Sequence, residues 1–533
     1  MKSGMSSMAA TASAPGSTTS ANVAAPKTVE HWAIIKADEV AIIDGEVQVT
    51  WGQWNEGANR LAEALSGLGL VAGDVVAVRS QIRHEWQFIS VALAKLGASM
   101  VPFNWRLTPS ESHHILKDSN AKMLILDDLD VRAFMPACEG LELKAVIAIG
   151  PETAAALSFS RLISQAQPVA RFSKGRPPLI IYTSGTTGLP KGVVMSDFTM
   201  SAELTEYIQS IEAADPQLPG ARAMLSLPMH HGAGPGACWS SIGVGNTLVM
   251  SRRFSPEQAL ADIQRHRINH WVAVPTMLKR IAALPEEVLA RYDVSSIRSV
   301  RTGAAPVPTS LKDWARGYFG EVLHEAYGAT EVGMIAHANP TDLRRKPGSS
   351  GKPYRHVHIR IKDEIGTVLP VGEVGAVWVK SPVVIKRYVN APFLGRDTID
   401  EEGYFQVGDA GRLDEEGYIY LTDRIKDMII SGGVNIYPAE IESALIQHPA
   451  VQDVAVIGVP DDDFGEAVKA FVELRSGATL TAAELQAFIE PLLASYKRPR
   501  SLEFIAELPR STMGKVLKRE LRNPFWKNQE RNV

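Results

Sequence analysis

Cysteine is almost missing from this sequence: Cys138 and Cys238 are its two, and they lie far apart. That scarcity argues against a disulfide framework, supplies no metal-ligand pattern, and fits free thiols in a reducing cytosol. No run of about 18 apolar residues occurs, which argues against a transmembrane helix. An excess of positive charge is missing too. With 55 Lys plus Arg against 59 Asp plus Glu, the formal charge is −4, which gives no electrostatic reason to expect a nucleic-acid partner. From Met1 to Lys27 the chain is mostly Ala, Ser, Thr and Met, with no continuous apolar core and no arginine. A cleaved signal peptide and a transit peptide are both disfavoured there, and the segment reads as a disordered tail on a cytoplasmic protein. What is present is an ordinary globular composition, 45% hydrophobic and 21% charged, spread over 533 residues, too many for one core.

Along the chain, three textures follow one another. From Trp32 to Thr302, strand-length apolar runs alternate with longer amphipathic segments. The spacing predicts helices over Trp54–Leu68, where Leu61, Leu65 and Leu68 share one face, and over Glu85–Leu96. Val75–Val78, Met123–Leu126, Val146–Ile149 and Val272–Val274 read as short buried strands, and such runs separated by helices suit a mainly parallel sheet covered on both faces. The fold class is α/β. From Lys346 to Leu421, short alternating runs between Gly, Pro and Asp-Glu turns predict a small antiparallel sheet or a β-barrel-like part. After Asp423-Arg424-Ile425-Lys426-Asp427 comes a small α+β unit, with a helix over Pro438–Gln447, a strand over Asp453–Val459 and a helix over Ala482–Leu493. The expected domains are a tail over 1–27, a large unit over 28–425 and a small mobile unit over 426–533.

The chemistry starts at Tyr182-Thr183-Ser184-Gly185-Thr186-Thr187-Gly188-Leu189-Pro190-Lys191-Gly192. Glycines let backbone N–H groups turn inward into an anion-binding nest, the hydroxyls add donors, and Lys191 adds a point charge suited to phosphate. The loop asks for a polyphosphate, yet it is no ordinary P-loop, because Lys191 follows proline and precedes glycine. Tyr327-Gly328-Ala329-Thr330-Glu331 sets one carboxylate beside a hydroxyl, which suits Mg²⁺ next to a bound triphosphate. Asp409 ends a strand-like run where an aspartate either caps a turn or accepts from ribose hydroxyls. Arg424 fits ribose or phosphate, and Lys515 lies in a polar loop, Pro509 to Val516, that can reach into a site.

Taken together, the segments YTSGTTGLPKGV, RTGAAPVP, YGATE, YFQVGDAGRLDEEGYIYLTDRIKDMIISGGVNIYPAEIE and LPRSTMGKVLKREL resemble, in order and spacing, the adenylate-forming superfamily of acyl-CoA synthetases, peptide-synthetase adenylation domains and firefly-type luciferases. The resemblance runs from Thr28 to Leu521. It implies that Thr183, Ser184, Gly185, Thr186, Thr187, Gly188 and Lys191 handle the β- and γ-phosphates of ATP. Gly303, Ala304, Ala305 and Pro306 would pack on adenine and Tyr327 would stack on it, with Gly328 and Ala329 alongside. Thr330 would touch the α-phosphate, Thr187 and Glu331 would hold Mg²⁺, and Asp409 with Arg424 would bind ribose. Lys515 would bridge the substrate carboxylate and α-phosphate. Lys426 matches the hinge about which the small domain turns, exchanging Lys515 for Ser431, Gly432 and Gly433 beside the pantetheine arm of coenzyme A. The catalytic set so implied is Lys515, Thr186, Glu331 and His231.

Which acid is used depends on Leu227 to Gly236, where the family lines its acid pocket. His231 matches a histidine common there, whereas His230 stands where many fatty acyl-CoA synthetases carry an aromatic. Adjacent histidines rarely converge on one ion, so a metal role is set aside. No fixed charge suited to an amino acid's ammonium group appears, which predicts a small-molecule carboxylic acid with a hydrophobic tail: fatty, aryl, or alicyclic and steroid side-chain. Chain end Val533 follows Leu521 closely, leaving no carrier module, so soluble CoA is the expected acceptor and a carrier protein the alternative. A non-catalytic nucleotide or acyl sensor would show degraded motifs. Oligomeric state is left open, a homodimer included.

Overall fold

The structure is a computed structural model, and it describes residues 27–127, 131–151, 153–173, 177–183, 190–195, 200–305, 307–432, 434–511 and 514–526. Two sheets carry the large unit. One has nine strands in the order Lys352–Pro353, Gly333–Ala338, Leu323–Ala329, Ser299–Gly303, His270–Ala273, Arg222–Leu225, Thr247–Met250, Val40–Asp44 and Val47–Thr50. Its six central strands are parallel, and only the outermost pairs run antiparallel. The other sheet, with five parallel strands, is built around Val75–Arg79 and Met123–Leu126. These strands are short apolar runs buried on both faces, as a helix-covered parallel sheet requires.

The Trp51–Gly67 helix starts three residues before the predicted Trp54, because Thr50 and Gln53 close a capping box ahead of it. Leu61 and Leu65 are fully buried, while Leu68 is the C-cap and half-exposed. Trp51 and Trp54 stack at 5.4 Å between ring centroids in the same core. The predicted 272–274 strand is His270–Ala273 instead, since Pro275 opens the Pro275–Ala282 helix and leaves Val274 as its N-cap. That helix buries Met277, Leu278 and Ile281 and turns Thr276 and Lys279 outward.

Of the two forms left open for residues 346–421, the chain takes an open antiparallel sheet of four strands: His358–Lys362, Gly375–Lys380, Phe405–Leu413 and Ile419–Arg424. Beyond it, Val451–Asp461 and Gly465–Leu474 form a long hairpin joined in parallel by Ser501–Ile505. The helices Pro438–Leu445 and Ala482–Ile489 bury Ile441, Leu445, Leu485 and Ile489 against it. Both helices stop short of their predicted ends. Among the described residues no helix is long and apolar enough to cross a membrane.

Candidate active site

The glycine- and threonine-rich segment expected to take a polyphosphate is flanked by two paired strands. Ile180–Thr183 pairs antiparallel with Lys191–Val194, with Thr183 opposite Lys191. Two contacts clamp the stem: the Tyr182 hydroxyl donates to Asp118 Oδ2 at 2.7 Å, and His114 Nε2 lies 3.1 Å from the Pro190 carbonyl oxygen. Ser184, Gly185, Thr186, Thr187 and Gly188 lie outside the described residues, as do Pro306 and Gly433. Lys191 emerges from the stem with its ammonium over the Tyr388 ring, 5.2 Å from the centroid. The hydroxyl of that same tyrosine donates to Glu331 Oε1 at 3.3 Å.

Thr330, Glu331 and Val332 make the tight turn between Leu323–Ala329 and Gly333–Ala338. Glu331 is fixed from behind, as Ile385 N donates to its carbonyl oxygen at 2.9 Å. The turn therefore presents a carboxylate next to a hydroxyl at the sheet's end, with Tyr388 between it and Lys191. One carboxylate beside a hydroxyl, sharing Tyr388 with a lysine, is a donor set that suits Mg²⁺, which keeps few protein ligands and takes the rest from phosphate and water. A second donor group, Asp44 with His84 and Glu85, is spoken for: Arg252 lies 2.9 and 2.8 Å from the Asp44 oxygens and Arg83 lies 2.7 Å from Glu85.

Next to this turn, Gly303 ends a parallel strand where its backbone meets its neighbour. A Cβ there would overlap the Ala326 carbonyl oxygen, so only glycine lets the two strands close up. Ala304 follows at φ 64°, a left-handed conformation that costs an L-residue roughly 1 kcal/mol or more. The strained turn exposes Ala304 and half-exposes Ala305, giving a small flat surface at the strand ends. Beneath it, Arg301 is tied to buried Asp215 at 2.9 Å.

Tyr327, Asp409 and Arg424 come together from three strands. The Tyr327 hydroxyl donates to Asp409 Oδ2 at 2.6 Å, and Arg424 Nε lies 2.6 Å from Oδ1. Burial, reinforced by the Asp409 charge, pushes the Tyr327 phenol well above its ordinary value and keeps it a donor. Lys515, from the small unit, is held to about 8, chiefly by burial and then by the Arg424 charge, with Asp409 and Asp427 pulling the other way. Its neighbours in charge are thus the ribose candidates themselves. The lysine sits on a tight turn in which Ser511 N donates to the Lys515 carbonyl and Gly514 N to the Ser511 carbonyl, each at 2.8 Å.

Lys426, the expected hinge, lies in a 3₁₀ turn, Ile425–Asp427, that follows the four-stranded sheet, and Arg522 reaches the Lys426 carbonyl oxygen at 3.4 Å and Asp427 at 3.1 Å. A contact crosses this turn: Asp423 Oδ2 accepts from Ala439 N at 2.7 Å, so a strand of the large unit caps the Pro438–Leu445 helix of the small one. Ser431 and Gly432 belong to the small unit's own hairpin, and Gly432 N donates to the Phe464 carbonyl oxygen at 2.8 Å. They line a cavity of about 210 Å³ with Phe464, Tyr496, Arg498 and Arg500.

His230 and His231 precede the Ala233–Gly243 helix, with their rings 4.5 Å apart. Burial pushes His231 down to about 4, and burial, with His231 and Arg106 nearby, pushes His230 well below its ordinary value, so both are neutral near pH 7. Around them the backbone leaves room. A Cβ at Gly236 would meet no atom within 4 Å outside its own helix and neighbours, and one at Gly232 only the Met195 methyl at 3.8 Å.

Of the candidate residues, Lys191 and Glu331 share Tyr388, Tyr327, Asp409 and Arg424 form a second group within charge reach of Lys515, and Ser431 and Gly432 lie apart against Phe464. Tyr388 was not anticipated, and neither were Asp423 and Ala439: an aromatic far along the chain from both its partners, and a cap made by a remote side chain, leave no local pattern to read.

The model of the AMP-binding enzyme family matches residues 29–389, and that of the AMP-binding enzyme C-terminal domain matches residues 440–515. A fatty acid–[acyl-carrier-protein] ligase of Streptomyces coeruleorubidus is 35% identical over 91% of this chain and 93% of its own. A feruloyl-CoA synthase of an Amycolatopsis species is 33% identical over 91% of this chain and 96% of its own. Among solved structures, o-succinylbenzoate CoA synthetase of Bacillus subtilis, in complex with its acyl-adenylate, superposes with a TM-score of 0.79 at 30% identity, covering 93% of this chain and 98% of that one.

Proposed function

Since the chain belongs to the AMP-binding enzyme family and is an AMP-forming acid–thiol ligase, we propose that it activates a hydrophobic carboxylic acid through an acyl-adenylate and delivers it to coenzyme A. The observation that supports this reading is the Tyr327–Asp409–Arg424 cluster, whose Asp409 and Arg424 charges are felt by the buried Lys515 of the small unit. In the first half-reaction a carboxylate oxygen attacks the α-phosphorus of ATP, the bond to the β-phosphate breaks, and pyrophosphate leaves. Two anions meet, so the barrier is largely electrostatic. Lys515 bridges substrate carboxylate and α-phosphate, Lys191 and the loop hydroxyls take the leaving phosphates, Thr330 faces the α-phosphate, and Asp409 with Arg424 holds the ribose. Glu331, with Thr187, would hold Mg²⁺, which supplies charge neutralisation at the phosphates when bound.

In the second half-reaction the small unit turns about Lys426, withdrawing Lys515 and bringing in Ser431, Gly432 and Gly433. A thiol then attacks the acyl carbonyl and AMP leaves. For coenzyme A as acceptor, the cavity beside Ser431 and Gly432 offers aromatic faces and two arginines, groups suited to a base and to phosphates. The Streptomyces relative acts on an acyl carrier protein, which keeps that acceptor as the second reading. For the acid, the neutral histidines and the open space at Gly236 support a broad apolar tail, fatty or aryl. A panel from octanoate to palmitate with ferulate and indoleacetate, given ATP and either CoA or a phosphopantetheinylated carrier, tests both choices. AMP and pyrophosphate are expected, with CoA consumed; ADP would overturn the mechanism.

A further inference from the structure

Lys515 reaches the site from a different unit, so something must place it there. The Pro275–Ala282 helix of the large unit touches the small unit at two points one turn apart. Lys279 Nζ donates to Asp453 Oδ1 at 3.0 Å. The other oxygen of Asp453 accepts from Arg510 Nη2 at 2.7 Å, and Arg510 Nη1 reaches the Gly514 carbonyl oxygen at 3.3 Å, one residue before Lys515. Thr276, on the same helix face, lies against Gly514 itself. A Cβ at Gly514 would overlap the Thr276 side chain, and its φ of 71° favours glycine as well.

We propose that this helix face is the seat on which the small unit docks for adenylate formation, and that Lys279, acting through Asp453 and Arg510, is a positioning residue for Lys515. The proposal rests on the two-step reading above. Asp453 is buried, and although burial pushes its carboxyl up, Lys279 and Arg510 outweigh that and hold it below the ordinary carboxylate range. Both oxygens are therefore charged acceptors, one filled from each unit. Rotation about Lys426 separates Lys279 from Asp453 while Arg510 stays with it, so the carboxylate is never left wholly unpaired as the lid departs. The contact belongs to one lid position only. Its loss would leave the Ser511–Lys515 turn intact in its own hydrogen bonds but free to shift, and a shift of about 1 Å at a reacting group costs up to roughly a hundredfold in rate.

The test compares Lys279→Met and Lys279→Arg with the unaltered protein in two assays, using the best acid of the panel above. ATP–pyrophosphate exchange reads the first half-reaction; thioester formation from a synthetic acyl-adenylate and CoA reads the second. Lys279→Met is expected to lose about tenfold in exchange while thioester formation holds or rises, and Lys279→Arg to keep most of the exchange. Should Lys279→Met melt early, Asp453→Asn, which keeps the side chain's shape, is expected to show the same asymmetry. Equal loss in both half-reactions, or no loss in either, overturns the seat. The unaltered protein is assayed first: ADP release or no adenylate at all sinks the two-step reading, whereas a symmetrical loss with AMP and pyrophosphate still formed sinks the seat alone.

Discussion

Asp409 and Arg424 stand opposite each other on neighbouring antiparallel strands, and their side chains meet at 2.6 Å. The second Asp409 oxygen already accepts from Tyr327, so an incoming ribose shares or displaces partners that are in place. Asp409→Asn replaces one acceptor by a donor facing a hydroxyl or a guanidinium. We expect the KM for ATP to rise about tenfold and the protein to lose about 1–3 kcal/mol of stability. ATP titrations and thermal melts check this, and unchanged values in both would remove Asp409 from the nucleotide site.

Lys515 sets an upper pH limit on the first half-reaction. Its ammonium, held to about 8 mainly by burial, is the form that attracts carboxylate and phosphate. As pH rises through that value the free enzyme loses the charge, so kcat/KM for pyrophosphate exchange falls above about pH 8. Lys515→Arg moves the decline to higher pH, because a guanidinium stays charged. Lys515→Ala abolishes adenylate formation yet spares thioester formation from a preformed adenylate. A flat profile in the unaltered protein, or equal losses in the two halves, would contradict the assignment.

Tyr388 serves two partners with different parts of one side chain, its ring under Lys191 and its hydroxyl on Glu331. Tyr388→Phe removes the second contact alone. It is expected to raise the Mg²⁺ concentration for half-maximal exchange roughly tenfold, as loss of an outer-shell partner of a metal ligand does. Tyr388→Ala removes the ring too and should add a rise in the KM for ATP. An unchanged Mg²⁺ requirement in Tyr388→Phe would show that the hydroxyl contact is idle, and equal effects of the two variants that the ring is.

These cases mark what the sequence tells and where it stops. The short apolar strands of the parallel sheets are legible from their local pattern. Glu331, Asp409, Arg424 and Lys515, each of which alone reads as a turn residue or a solvated charge, are singled out only because their motifs occur together in the family's order. Tyr388, Asp423 and Lys279 are neither. Each works across a gap of dozens of residues or between units, and a lone tyrosine or lysine on a half-buried face reads the same whether or not a partner waits opposite. Helix ends slipped for a smaller reason: the Thr50–Gln53 capping box and Pro275 decide the boundaries, and apolar periodicity does not register either.

If Gly236 lines the acid pocket as proposed, acid choice is open to redesign there, where an added Cβ meets nothing within 4 Å. Gly236→Phe should therefore fill space rather than force the backbone. The ratio of kcat/KM for ferulate over that for octanoate is expected to fall about tenfold, a usual scale for steric discrimination in an apolar pocket. An unchanged ratio, with the melting temperature also unchanged, would show that the space opens elsewhere than on the acid.

The carboxylate of Asp423 that caps the Pro438–Leu445 helix has a consequence for modularity. The lid does not own all of its own secondary structure; its first helix borrows an N-terminal partner from the body. A lid excised at Lys426 would begin with that helix uncapped, at a cost of about 1 kcal/mol. A lid grafted onto another body inherits the helix but keeps its cap only where an aspartate waits at the end of the host's last strand. For hybrid enzymes the sensible splice lies upstream of Asp423, not at the pivot.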